Sequence, residues 1–168
     1  MKRILLPLAA ALVTFACGDS QPTAPDARAS SDVRLSRSTS GCRNVEGTIV
    51  EYITGPNTAA GTITGDVSGD VSIVITALRQ MEGGVMQFDA NCTMVTKHGT
   101  ITTADEATLT PIEASLYQVS NRLNVTGGTG KYSGVTGTLH TRGTANFVPG
   151  GLVDLRYDGQ LCRTDRDR

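Results

Sequence analysis

Thr126 to Gly137, TGGTGKYSGVTG, comes nearest of any stretch in this chain to nucleotide chemistry, because glycine-rich turns can wrap successive amides round a phosphate. The spacing does not carry that chemistry. A phosphate loop needs Gly, four residues, then Gly-Lys-Ser/Thr; counting back from Gly130-Lys131 finds Val125 in place of the first glycine and Tyr132 in place of the hydroxyl residue. A dinucleotide fingerprint fails too, since Ser133 stands at its third glycine position and a Thr/Val-rich stretch follows instead of a helix. The segment reads as a β-connection in which Gly127, Gly128 and Gly130 supply positive φ at a tight turn, while Gly134 and Gly137 let the next strand coil.

The other reactive side chains are sparse. His98 and His140 are the only histidines, and neither has a partner at a metal-ligand spacing, so no metal or cofactor is expected. No Gly-x-Ser-x-Gly elbow occurs. Cys92 stands among Met86, Phe88 and Met94, where a thiol reads as a small buried hydrophobe, with a pocket nucleophile as the alternative. Asp154, Arg156 and Asp158 alternate with apolar residues and read as a solvated stripe. Tyr157 falls on the apolar side of that alternation with a hydroxyl that needs a partner, which makes it the best single choice for a polar group inside a cavity.

The elements that position these residues are strands. From Cys42 onward, short runs rich in Thr, Val and Ile are punctuated by Gly, and no stretch keeps a 3.6-residue apolar period; Thr102 to Ser115 comes nearest and contains Pro111. Eight strands are expected, at about 43–54, 61–67, 70–79, 85–96, 99–109, 116–126, 135–146 and 152–162. Alternation gives each an apolar and a wet face: Val153, Leu155 and Tyr157 against Asp154, Arg156 and Asp158 in the last strand, and Met86, Phe88, Cys92 and Met94 on one side of the fourth. An antiparallel sheet with one apolar face satisfies its edges by closing, so the expected fold is all-β, an eight-stranded antiparallel barrel over residues 41–164. Met86, Phe88, Cys92, Met94, Val153, Leu155 and Tyr157 are then the expected lining of its interior.

The first forty residues differ in texture. Met1-Lys2-Arg3 is basic, Ile4 to Ala16 is an apolar run too short to span a bilayer, and small residues follow, the pattern of a secretory signal. Thr14-Phe15-Ala16-Cys17-Gly18 resembles the bacterial lipobox, which implies lipidation of Cys17, a signal peptide over residues 1–17, and a membrane as partner through the lipid anchor. Residues 18–40 are rich in Ser, Pro, Ala, Asp and Arg and read as a flexible tether. Loss of Lys2 and Arg3 with the signal leaves 13 basic against 16 acidic residues, about −3, scattered and without Trp. Nucleic acid is therefore not an expected partner. Three cysteines remain outside the cytoplasm, so they are free thiols or one pair with one left over. If the barrel closes, the first strand lies antiparallel to the eighth, which favours Cys42 with Cys162.

VTGGTGKYSGVTGTL, Val125 to Leu139, is similar to the signature that plant allene oxide cyclases and dirigent proteins carry between late strands of their eight-stranded barrels: Gly-Gly-Thr/Ser-Gly, a variable residue, an aromatic, then Gly. The resemblance covers about fifteen residues closely and Cys42 to Cys162 loosely through strand count. It implies a barrel whose apolar cavity shapes a reactive intermediate but supplies no site: the family's catalytic Glu and Asn on the first strand have no matching motif in VEGTIVEYITGPN, where Glu46 and Glu51 are the carboxylates of the region. Two functions are carried forward. One is a lipoprotein of the bacterial cell envelope, lipid-anchored or secreted, whose barrel binds a small apolar ligand or serves as a structural module. The other is an isomerase or cyclase acting on an unsaturated lipid-like substrate, with Glu46 or Glu51 polarising it and Tyr157 orienting it.

Overall fold

The computed structural model describes residues 40–164; the lipobox-like Cys17, the signal peptide and nearly all of the expected tether lie outside them. Eight strands follow one another: β1 (Ser40–Gly55), β2 (Thr58–Gly65), β3 (Gly69–Gln80), β4 (Met86–Thr96), β5 (Gly99–Glu113), β6 (Leu116–Gly128), β7 (Val135–Asn146) and β8 (Leu152–Thr164). Each pairs antiparallel with its neighbours in sequence, and β1 also pairs with β8, so the sheet closes into a barrel. The only helical pieces among the described residues are single 3-10 turns at Glu82–Gly84 and Gly130–Tyr132.

The β-branched residues that raise strand propensity also set the inside and outside of the wall. Along β1, Val45, Ile49 and Glu51 are buried while Glu46, Thr48 and Tyr52 are exposed; along β8, Val153, Leu155, Tyr157 and Leu161 are buried between exposed Asp154, Arg156, Asp158 and Gln160. Strand five runs four residues beyond its expected end at Leu109. Pro111, which cannot donate to the ladder, sits beside a register shift between Pro111 and Glu113, where the pairing tolerates it.

Across the closing seam Cys42 stands directly opposite Cys162, and the two form a disulfide that spans 120 residues of sequence. Cys92 remains a free, buried thiol.

The connection from β6 to β7 corrects the expected roles of its glycines. Positive φ falls at Gly130, Gly134 and Gly137, whereas Gly127 and Gly128 lie inside β6 with no left-handed backbone. Gly128 serves close approach instead, since a Cβ there would meet the carbonyl oxygen and Cβ of Tyr132. In Gly137 both demands coincide: φ is 142°, and a side chain would collide with the carbonyl oxygen of Gln160 on β8.

The two ends of the barrel differ. Where β1 begins, Val45, Ile63, Val67, Met94, Ile101, Leu139 and Tyr157 are almost wholly buried and fill the interior. Val67 belongs to the turn between β2 and β3, yet it is folded in with no exposed surface. At the other end, the turns after β1 and β7 surround an opening. The loop after β7 is fixed to β1 by hydrogen bonds from the Ile53 amide to the Gly151 carbonyl (3.0 Å) and from the Gly150 amide to the Ile53 carbonyl (3.0 Å). Tyr117 and Phe147 meet edge to face at 5.6 Å near this rim.

Candidate functional site

Behind the opening lies a cavity with about 60 Å³ of free space. Its walls are Ile49, Ile53, Ile73, Phe88, Val153 and Leu155 among other apolar groups. That volume is well below the several hundred Å³ of a drug-sized pocket, so the deep part admits a small group only. Towards solvent the lining passes into a shallow depression through the shared residues Ile53, Gly55, Pro56 and Phe147, with Val148 on its outer side.

A band of polar side chains interrupts the apolar wall. Period-two alternation turns Glu51 inward from β1, Asp105 from β5, Asn121 from β6 and Thr141 from β7, and all four line the cavity. Their exposures are 5%, 2%, 7% and 1% in that order, so each is more than nine-tenths buried. Three of their atoms have no hydrogen-bond partner: Asp105 Oδ2, Asn121 Oδ1 and Thr141 Oγ1. Buried polar atoms are normally satisfied, and leaving one unmet costs about 1–3 kcal/mol, so three on one small cavity mark a place built for something else.

The electrostatics follow from burial. Loss of hydration, and after it the nearby Asp105, together raise the Glu51 carboxyl to about 7. Burial likewise raises Asp105 to about 6, against the opposing pull of the Thr103 hydroxyl, which donates to Asp105 Oδ1 at 2.5 Å, and of Asn121. No Lys, Arg or His lines the cavity, so neither carboxyl has a cationic partner there. Burial, then Asp105 and Glu51, push the Cys92 thiol strongly up, which keeps it protonated and removes it as a nucleophile at neutral pH.

Among the residues singled out from sequence, Phe88, Cys92, Val153 and Leu155 line the cavity together with Glu51. Glu46 is turned outward and exposed, which removes it from any interior chemistry. Tyr157 points inward but not into the cavity: its hydroxyl accepts from the Val67 amide at 3.0 Å and donates to the Val67 carbonyl at 3.3 Å, at the filled end. Met94 belongs to that filled end as well, with no exposed surface, and Met86 is only partly buried against the core; neither borders the cavity. His98 and His140 are exposed, and among the described residues no group of three or more His, Cys, Asp or Glu side chains could hold a metal ion.

Asp105, Asn121 and Thr141 were not anticipated, although their signal was present. Ile101, Thr103, Asp105, Ala107 and Leu109 alternate along one face of β5, and a carboxylate in the middle of such a row must point inward. Comparison with known protein families, curated proteins and solved structures finds no match.

Proposed function

We propose that the barrel binds a small, largely apolar molecule, with its polar end lowered onto Glu51, Asp105, Asn121 and Thr141. One observation carries this reading: three buried polar atoms without partners border an apolar-walled space that opens to solvent at one end. A barrel serving only as a scaffold gains nothing from that arrangement, because larger apolar side chains in place of Asp105, Asn121 and Thr141 would remove both the void and the unmet atoms. The lipobox-like junction at Cys17 supports placing this barrel on a lipoprotein of the bacterial envelope. Methyl NMR of the protein titrated with hexan-1-ol tests the binding. Shifts of the Ile49, Ile53, Ile73 and Val153 methyls are expected, and their absence with hexan-1-ol and equally with hexanoate and n-hexylamine, each up to its solubility limit, would leave only the structural module.

A second reading is an isomerase acting on an unsaturated lipid-like substrate. It is favoured by Glu51, whose carboxyl titrates near neutrality and could pass a proton within a water-poor cavity. Orientation would come from Asn121 and Thr141, since Tyr157 is committed to Val67. The likeness of the β6–β7 connection to allene oxide cyclases makes an epoxide the functional group to try, on a short unsaturated chain small enough for a space of about 60 Å³. Turnover by the wild type and its loss in Glu51→Gln are expected; turnover surviving that change removes Glu51 from the chemistry.

A further inference from the structure

The unmet atoms have a common sign. Asp105 Oδ2 and Asn121 Oδ1 accept only, Thr141 Oγ1 accepts as well as donates, and the buried Glu51 carboxyl borders the same cavity. The cavity therefore offers acceptors in excess and negative charge without a counter-ion, at the inner end of an apolar funnel. From this geometry we infer that the occupant is a small organic cation, an amine whose N–H groups meet Glu51, Asp105, Asn121 and Thr141 while its apolar body lies along Ile53 and Phe147 towards the rim.

Elimination supports the assignment. A carboxylate ligand would bring a further negative charge beside two acids. A hydrocarbon would leave every acceptor unmet, and an alcohol has one donor to share among several. An ammonium group has three donors and no acceptor, and charge-assisted bonds to carboxylates are about twice as strong as neutral ones. The size fits as well, since the deep space of about 60 Å³ admits a head group and the first carbons but not a bulky ring system. The groups that titrate against Glu51 are Asp105 from β5 and Cys92 from β4, and neither is cationic, so no residue of this barrel competes for the role.

The inference rests on the reading of the barrel as a small-molecule binder and sharpens its ligand. The full chain is titrated calorimetrically with three matched probes, n-hexylamine, hexan-1-ol and hexanoate, at about pH 8 and about pH 5. Hexylamine is expected to bind about tenfold or more tighter than hexanol at the higher pH, as hydrogen bonds to charged groups imply. That advantage should disappear at the lower pH, where both carboxyls are protonated. Glu51→Gln and Asp105→Asn are each expected to weaken hexylamine about tenfold, with thermal unfolding confirming that the variants fold. The comparison of probes on the wild type stands without the variants. Hexanol or hexanoate binding as tightly as hexylamine at the higher pH overturns the cation assignment and leaves the binding function intact. Failure of all three overturns both.

Discussion

The Tyr157 hydroxyl bridges both backbone groups of Val67, accepting from its amide at 3.0 Å and donating to its carbonyl at 3.3 Å, across ninety residues of sequence. A side chain from β8 thereby holds the turn between β2 and β3 inside the barrel, and Val67 becomes a stopper at that end. Without the hydroxyl, a buried amide and carbonyl lose this partner. Tyr157→Phe is expected to lower stability by about 1–3 kcal/mol in denaturant unfolding while leaving probe binding at the opposite end unchanged. Altered probe affinity in Tyr157→Phe would show that the two ends are coupled.

Glu51 and Asp105 make stability depend on pH in an uncommon direction. Their folded-state values, about 7 and about 6, lie above the ordinary 4.5 and 3.8, so the folded protein holds more protons than the unfolded chain between those limits. Stability is then fully present at the acid side and is lost as pH rises from about 4 to about 7, by a few kcal/mol in all. Thermal unfolding at a series of pH values checks this, and Glu51→Gln should flatten the slope. A melting temperature that rises across this interval would show that other groups dominate.

Reducing the Cys42–Cys162 disulfide opens a loop closed over 120 residues. The expected loss is about 2–5 kcal/mol, most of it through the larger freedom of the unfolded chain. Urea unfolding of the double Cys42→Ser, Cys162→Ser variant measures it, and an unchanged midpoint would show that strand pairing alone secures the seam.

Gly137→Ala should destabilise the barrel by about 2 kcal/mol or more, because a Cβ meets both an unfavourable φ and the Gln160 carbonyl. Gly134→Ala, where φ is 71° but space is open, should cost less. Equal losses in chemical denaturation would assign the whole effect to backbone angle.

Strand count, closure and the seam pairing of Cys42 with Cys162 were legible because each rests on alternation and turn spacing, which are local. The cavity was legible only in part. Glu51 lies five positions after Glu46, an odd offset, so alternation alone forbids them from sharing a face, and Val45 and Ile49 on the inner row indicate Glu51. Tyr157 could not be placed the same way. Alternation puts it inside the wall, but whether an inward residue meets the void or the plug depends on its height along the axis, which is set by the stagger among all eight strands. Asp105, Asn121 and Thr141 reach one polar band from three strands for that same reason.

The disulfide lies where β1 starts and β8 stops, at the stoppered end, so both the segment before Ser40 and the residues after Thr164 join the barrel on its blind side. The barrel is a cup whose two described chain ends, Ser40 and Thr164, both meet its base. Its lip lies on the side opposite the points where the chain enters and leaves the vessel.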